Sequence, residues 1–130
     1  MILGIGTDIV QVSRMRANLD RHGERFARRI LANAELEEFF AAKRPAHFLA
    51  KRFAAKEALV KALGTGFRNG IRFSDIRVTH DGLGKPGLGC NGKTASLLQQ
   101  MGVTLSHISL ADERDYAVAF VILDADGSKA

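Results

Sequence analysis

Apolar residues recur with a helical period through the first half of the chain, most clearly between Pro45 and Gly64. Leu49, Phe53 and Val60 fall on one stripe of such a helix, so this face packs on a core. Proline suits the first helical turn, where its missing N–H costs no hydrogen bond, and glycine suits the position after the last turn. The pattern predicts a long helix over residues 45–63 and shorter helices over residues 14–22, 24–31, 34–43 and 93–100.

Alternating residues predict strands at the start of the chain and through its second half. In residues 1–10, Leu3 and Ile5 alternate with positions that include Gly4 and Gly6. These glycines leave one face of the strand nearly bare, so another backbone or a ligand can approach it. Further strands are predicted over residues 71–73, 76–79, 103–110 and 115–123, with a turn at Asn69 and a hairpin over residues 81–89.

Helices dominate the first half of the chain and strands the second, without a regular alternation of strand and helix. This order predicts an α+β fold in which helices and a sheet share one core. With 130 residues and no linker, repeat or low-complexity segment, the chain is expected to form a single domain over residues 1–130. The tail from Asp124 to Ala130 is expected to fray.

The composition argues against several classes of protein. The hydrophobic fraction is 46% and the mean hydropathy is -0.03, and no apolar run approaches the roughly 20 residues that cross a bilayer. The first residues lack the basic segment of a signal peptide. A single cysteine, Cys90, excludes an internal disulfide and fits a reducing compartment. We therefore expect a cytoplasmic protein that does not bind membranes.

The chain is basic, with 19 Lys and Arg against 14 Asp and Glu and a net charge of +5. Six arginines lie between residues 14 and 29, offset there only by Asp20 and Glu24. This balance implies a polyanionic partner: nucleic acid, anionic lipid, a phosphorylated ligand or an acidic protein. A basic nucleic-acid-binding module is thus an alternative function. However, the chain has one Tyr and no Trp for stacking on bases, so we expect no nucleic-acid partner.

Three charged residues of the long predicted helix could carry chemistry. Glu57 and Lys61 are four residues apart and lie side by side at the edge of its apolar stripe. Lys56 falls near the middle of the stripe, where a lysine must extend to solvent or serve a purpose. Asp8 of the first strand could meet Glu57 at the end of the sheet, and two carboxylates form a hard oxygen site that suits Mg²⁺. Alternatively, these residues form a purely structural polar cluster. A further alternative function is a scaffolding protein that docks an acidic partner through its arginines.

The histidines give a weaker signal. The position of His107 in a predicted strand is typical of a histidine that belongs to the sheet, and His22, His47 and His80 are expected at the surface. No pair of His or Cys residues has the spacing of a zinc site.

Four segments of the chain carry a family resemblance. The central one is RFAAKEA at residues 52–58, followed by Lys61 and the GTG of residues 64–66. The others are GIGTDIV at residues 4–10, GKP at 84–86 and SHISLAD at 106–112. Together, in this order and over nearly the whole chain, they resemble the 4′-phosphopantetheinyl transferases, and more narrowly the small bacterial holo-[acyl-carrier-protein] synthases.

The resemblance implies the transfer of 4′-phosphopantetheine from coenzyme A to a serine of apo acyl carrier protein, with release of adenosine 3′,5′-bisphosphate. It implies helices packed on a small antiparallel sheet and a homotrimer whose sites are shared between subunits. It assigns Mg²⁺ to Asp8 and Glu57, a catalytic positive charge to Lys61, and a place near the phosphates to His107. The acceptor of the serine proton stays open between a water on the metal, Glu57 and His107.

Two further sets of residues follow from the resemblance. The residues expected to bind coenzyme A are Lys43, Arg44, Arg52, Gly64, Thr65, Gly66, Gly84, Lys85, Pro86, Ser106 and His107. The residues expected to dock the acidic carrier protein are Arg14, Met15, Arg21 and Arg25.

Overall fold

The computed structural model describes residues 1–68 and 70–126, so the predicted turn at Asn69 and the last residues of the predicted tail lie outside the described residues. Five helices and five strands are present in these ranges, in an α+β arrangement that confirms the predicted fold class. In chain order they are β1 (Ile2–Gln11), α1 (Val12–His22), α2 (Glu24–Ile30), α3 (Asn33–Ala41), α4 (Pro45–Leu63), β2 (Ile76–His80), β3 (Pro86–Cys90), α5 (Gly92–Met101), β4 (Leu105–Asp112) and β5 (Tyr116–Asp124).

The strands form two antiparallel sheets. The larger sheet has the order β1-β5-β4, and β2 pairs with β3 in the predicted hairpin. The strand predicted over residues 71–73 is wrong, because Phe73–Asp75 form a short 3-10 helix that leads into β2. The predicted glycine cap of α4 is confirmed, since Gly64 has φ 81° and its N–H donates to the carbonyl of Lys61.

Helix α4 packs directly on the glycine face of β1. A Cβ atom on Gly6 would overlap the carbonyl oxygen of Ala58, and one on Gly4 would overlap that of Ala62. The bare face predicted for β1 is therefore filled by a helix backbone. Helix α4 is buried on most of its circumference rather than on one stripe, with alanines at its closest contacts.

The larger sheet has one face under α4 and one exposed face. On β5, Ala117 and Ala119 are fully buried against the helix, whereas Val118 and Phe120 alternate with them and are exposed. The exposed side chains include large apolar groups on two neighbouring strands. We call this the outer face; its members include Ile5, Ile9, Tyr116, Val118 and Phe120.

No helix in residues 1–68 and 70–126 combines the length and apolar character that a membrane span requires.

Candidate active site

Asp8, Glu57 and Lys61 come together where β1 meets α4. The Nζ atom of Lys61 donates to Oδ1 of Asp8 over 2.9 Å and to the backbone carbonyl of Thr7 over 3.2 Å. No hydrogen bond joins Lys61 to Glu57 in the described part of the chain, although the two were expected to lie side by side. The lysine thus bridges the helix and the strand.

The environment of Glu57 differs from that of a surface carboxylate. Burial, and then the negative charge of Asp8, raise the pKa of Glu57, while the ammonium of Lys61 acts in the opposite direction. The carboxyl therefore accepts a proton, or a cation in its place, more readily than a solvated glutamate does.

The two carboxylates fit a hard divalent cation. The described residues contain no group of three or more His, Cys, Asp and Glu side chains that could hold a metal, so Asp8 and Glu57 would supply only part of a coordination shell. Mg²⁺ commonly binds proteins through one or two carboxylates and takes its other ligands from water and substrate phosphates. The donor set of this chain matches that pattern.

The glycine-rich loop after α4 folds back onto the helix. The N–H groups of Thr65 and Gly66 both donate to the carbonyl of Val60 at 3.2 Å, and the hydroxyl of Thr65 donates to the carbonyl of Gly66. The backbone N–H groups of residues 64–66 are therefore used by the helix cap. Their expected contact with coenzyme A would have to come from other atoms of this loop.

The hairpin between β2 and β3 has a tightly bonded tip. Oδ1 of Asp81 accepts the N–H groups of Leu83 and Lys85, and these bonds lower the pKa of Asp81. Gly84, with φ 84°, and Pro86 line a cavity of about 230 Å³, while Lys85 is exposed at the tip. The other lining residues are Phe48, Lys51, Arg52, His80, Leu110 and Asp112.

The assignment of Arg52 to coenzyme A needs correction. Its guanidinium is only 5% exposed and forms ion pairs with Glu35 at 2.9 Å and Glu38 at 3.2 Å. It also lies 4.4 Å from the centre of the Phe48 ring. With its charge already paired, Arg52 forms a wall of the cavity instead of offering a free cation to a phosphate.

Glu35 is the centre of a buried polar network that the sequence did not reveal. An acid at this position, early in α3, is typical of a residue that interacts with the helix dipole, yet the Glu35 side chain is 1% exposed. Its oxygens accept from Lys56 at 2.6 Å, from Arg52, and from the backbone N–H groups of Ala32 and Val78. Burial raises the pKa of Glu35, but the ammonium of Lys56 and these hydrogen bonds outweigh it and bring the pKa below its usual value. The network joins α3, α4 and β2.

Lys56, predicted within the apolar stripe of α4, has a structural role in the buried network. It is fully buried, and its Nζ atom donates to Glu35 and to the backbone carbonyls of Ile30 and Phe73. Three donors meet three acceptors, so a residue next to Glu57 is fixed to three other segments.

Ser106 and His107 lie on opposite faces of β4. Ser106 lines a small cavity of about 170 Å³ together with Cys90, whose pKa burial raises to about 11. His107 is opposite Ile122 on the outer face, 3.8 Å from the carboxylate of Asp124. Because Asp8 pairs with the buried Ala119 on the other face, one chain alone does not bring His107 to Glu57 and Lys61.

Lys43 and Arg44 lie in the short segment before α4 and line a cleft of about 490 Å³. The cleft also contains Arg16 and Asp20 of α1. His47, expected at the surface, is instead 6% exposed and sits behind Arg44. The structure therefore places two predicted phosphate-binding cations together in a basic cleft.

The predicted carrier-docking residues divide into two groups. Arg14, Arg21 and Arg25 are exposed and form no ion pair with any residue of 1–68 and 70–126. Met15 is 1% exposed within the core, so its assignment to docking is wrong: a methionine on the inner side of α1 has no surface to offer. His22 lies with the arginines on the exposed side.

A groove of about 490 Å³ lies beside α2 and was not predicted. Its floor is aromatic, with the rings of Phe67 and Phe73 stacked at 3.8 Å and those of Phe53 and Phe73 at 5.4 Å. Phe26 completes the aromatic lining, and Arg28, Arg29 and Arg72 also border the groove.

Comparison with known proteins agrees with this architecture. The holo-[acyl-carrier-protein] synthase of Nitrosococcus oceani is 57% identical over 126 residues, which cover 97% of this chain and 82% of the relative. The crystal structure of the holo-[acyl-carrier-protein] synthase (AcpS) from Neisseria meningitidis superposes with a TM-score of 0.90 at 44% identity, covering 95% and 99% of the two chains.

A structure with a bound ligand is also similar. The holo-(acyl-carrier-protein) synthase of Bacillus anthracis in complex with CoA (3′,5′-ADP) has a TM-score of 0.81 and 37% identity, covering 97% of this chain and 99% of that one. The model of the 4′-phosphopantetheinyl transferase superfamily matches residues 4–121. The chain therefore belongs to the 4′-phosphopantetheinyl transferase superfamily, as the four sequence motifs indicated.

Proposed function

We propose that this chain catalyses the holo-[acyl-carrier-protein] synthase reaction, the transfer of 4′-phosphopantetheine from coenzyme A to a serine of an apo acyl carrier protein. The serine oxygen forms a bond to the β-phosphorus, the pyrophosphate P–O bond breaks, and adenosine 3′,5′-bisphosphate leaves with the electron pair. The observation that carries the proposal is the cluster of Asp8, Glu57 and Lys61 in a chain whose relatives bear this activity in their names.

The chemistry requires alignment and neutralisation of charge more than covalent participation by the protein. Asp8 and Glu57 would hold Mg²⁺, which supplies positive charge to the phosphate oxygens. Lys61, already beside Asp8, adds a compact ammonium at the same place. Glu57 lies in this cluster, whereas His107 of the same chain lies on the other face of the sheet, so Glu57 is the group of this chain that could receive the serine proton.

The adenosine end of coenzyme A carries a 3′-phosphate, which we assign to the cleft of Lys43 and Arg44. The cavity lined by Gly84 and Pro86 lies against the next turn of α4, at Phe48 and Lys51, and suits the base and ribose. Lys85 at the hairpin tip is a further cation for the phosphates.

We further propose that the chain works as a homotrimer in the cytoplasm. The outer face exposes Ile9 by 63% and Phe120 by 43%, and a contiguous apolar sheet surface of this kind marks an interface. His107 lies on the same face as these residues. A neighbouring subunit seated there would let His107 contribute to a site that its own chain cannot reach.

The carrier protein would dock on the arginines of α1 and α2. Arg14, Arg21 and Arg25 are free to pair with its acidic side chains. The aromatic groove around Phe53 and Phe73 would receive an apolar side chain of the same partner. An acidic protein with one exposed apolar residue matches both features.

Mass spectrometry of an apo carrier protein tests the proposal. After incubation with this protein, coenzyme A and Mg²⁺, we expect the carrier to gain the mass of one phosphopantetheine group, and adenosine 3′,5′-bisphosphate to appear in equal amount. A carrier whose acceptor serine is replaced by alanine is the control. If several apo carriers gain no mass while a known synthase modifies them, the proposal is wrong.

A further inference from the structure

Arg44 and His47 form a contact that the reaction itself does not explain. Nη2 of Arg44 lies 2.9 Å from Nε2 of His47, and the same Nε2 lies 3.0 Å from the backbone carbonyl oxygen of Arg114, in the turn between β4 and β5. His47 is 6% exposed, whereas Arg44 is exposed at the cleft. The buried His47 ring thus contacts the guanidinium of the exposed Arg44.

A single ring nitrogen cannot serve both neighbours at once. A guanidinium can only donate, so Nε2 of His47 accepts from Arg44 only when its proton is on Nδ1. With the proton on Nε2, the ring would donate to the carbonyl of Arg114 and would turn an N–H towards the guanidinium. The tautomer of His47 therefore determines whether Arg44 is held.

The cleft around Arg44 is suited to an anion. Arg16, Lys43 and Arg44 contribute three positive charges, and Asp20 contributes one negative charge. One bond from Arg44 to His47 leaves the other guanidinium donors free for a ligand. A long side chain that is already held in place loses less conformational entropy when it binds, so its contribution to affinity is larger.

We infer that His47, with its proton on Nδ1, is a positioning residue that holds Arg44 for the 3′-phosphate of coenzyme A. His47 does not contact the reacting atoms. Its effect is on selectivity, because it strengthens binding of a ligand that carries this phosphate and leaves binding of a ligand without it unchanged. The inference rests on the proposed function, in which this cleft receives the adenosine end of the substrate.

The test compares coenzyme A with dephospho-coenzyme A, which lacks only the 3′-phosphate. Dissociation constants of both are measured by calorimetry for the wild type and for His47→Phe, which keeps a buried ring and removes the nitrogen. We expect His47→Phe to lower the preference for coenzyme A about two- to tenfold, which corresponds to the entropy lost when one long side chain is immobilised. Affinity for dephospho-coenzyme A should not change.

The controls separate positioning from packing. In Arg44→Ala the preference for coenzyme A should already be reduced, and adding His47→Phe should reduce it no further. His47→Gln, whose side-chain oxygen can accept from Arg44, should recover part of the preference. His47→Leu, which also removes the nitrogen, is the test variant if His47→Phe does not fold. Equal weakening of both ligands, or an additive loss in the double variant, would overturn the inference.

A spectroscopic measurement tests the same inference without any ligand. The ¹⁵N chemical shifts of the His47 ring should show a protonated Nδ1 and an unprotonated Nε2. A proton found on Nε2 would mean that the ring binds Arg114 instead and would overturn the inference. If the protein binds coenzyme A with the expected selectivity but modifies no carrier, the proposed function fails while this inference stands.

Discussion

Lys61 forms its ion pair with Asp8, 53 residues away in the chain, and not with Glu57, its neighbour on the preceding turn of α4. The pair crosses the contact between α4 and β1, which is close because Gly4 and Gly6 admit the helix backbone. The Lys61 ammonium thereby pairs with Asp8 and also lowers the pKa of Glu57, against the larger effects of burial and of Asp8. The position of Lys61 follows from the glycines of β1 as much as from the helix that carries it.

Replacing Lys61 tests whether its charge acts in the reaction. Lys61→Ala should lower kcat strongly, and Lys61→Arg should recover only part of it, because a planar guanidinium differs from a compact ammonium. Stability should change little, since the Lys61 side chain is 50% exposed and exposed ion pairs contribute about 0–1 kcal/mol. The rate of carrier modification measures the effect on the reaction, and thermal unfolding is the control for a change in stability. Full activity in Lys61→Ala would reduce Lys61 to a structural partner of Asp8.

Glu57→Gln should nearly abolish activity and yet stabilise the fold at neutral pH. The pKa of Glu57 is raised in the folded state, so the folded chain binds more protons than the unfolded chain and stability falls as pH rises through this range. A glutamine carries no charge, so it removes the free-energy cost of the ionised Glu57 carboxylate beside Asp8. Without Mg²⁺, the melting temperature of Glu57→Gln at pH 7 should therefore equal or exceed that of the wild type, and the difference should vanish below about pH 4.5.

Asp8→Asn is the matched comparison for Glu57→Gln. It should also remove most activity, but it breaks the ion pair with Lys61 and carries no expected gain in stability. A Glu57→Gln variant that melts well below the wild type at pH 7 would mean that Glu57 holds the structure.

The local features of this fold could be read from the sequence. The glycines of β1 indicated a backbone contact, and the proline and glycine at the ends of α4 gave its limits, because each depends on a residue's own conformational preference. The site carboxylates were found through the family motifs.

The errors concern residues whose partners are distant in the chain. The role of Glu35 is not visible in the local sequence, because its partner Lys56 is 21 residues away and Val78 is 43 residues away. His47 looked like a surface residue because Arg114 is 67 residues away. The spacing of apolar and polar residues predicts helices and strands. It does not predict contacts such as these, because they depend on which helices and strands pack together.

Removing the charge of Glu35 from its buried network should be strongly destabilising. Glu35→Gln leaves the ammonium of Lys56 buried without a counter-charge, which should cost about 3–5 kcal/mol of unfolding free energy. Glu38→Gln, whose side chain is 52% exposed although it also pairs with Arg52, should cost below about 1 kcal/mol. Chemical denaturation measures both. Equal and small effects would contradict the central role of Glu35.

The pH dependence of stability gives an independent check on Glu35. Its folded-state pKa is lowered, so the unfolded chain binds more protons and the ionised form stabilises the fold above the usual value of 4.5. That stability is lost as pH falls from about 4.5 through the lower folded-state pKa. Glu35→Gln should lack this part of the acid transition, which the wild type and Glu38→Gln should both retain.

The outer face of the sheet should govern the oligomeric state. Phe120→Glu places a charge in the middle of this apolar surface and should convert the protein to a monomer of 14.1 kDa in sedimentation experiments. Phe40→Glu is the control, because Phe40 is similarly exposed but lies on α3. A wild type that sediments as a monomer would refute the proposed trimer. Loss of activity with Phe120→Glu, and not with Phe40→Glu, would indicate that the site needs a neighbouring subunit.

Carrier docking and chemistry should depend on different residues of this chain. Arg14 and Arg21 are exposed on α1, do not line the cleft assigned to coenzyme A, and carry no ion pairs in the described residues. Charge pairs at an interface rim act mainly on the rate of encounter, and salt screens them over a Debye length of about 8 Å. Replacing both by alanine should therefore raise the KM for the carrier protein and flatten its salt dependence. The KM for coenzyme A should stay the same.

Two comparisons make this measurement decisive. Replacing both arginines by glutamate should weaken carrier binding more than alanine does, since like charges would then face each other. Lys93→Ala, which removes an exposed cation on α5, should change neither KM. If the arginine variants raised both KM values equally, the arginines would serve coenzyme A or the fold. The free cations of α2 and the aromatic groove beside it would then become the docking surface to test, because carrier recognition must use a cationic surface that coenzyme A does not occupy.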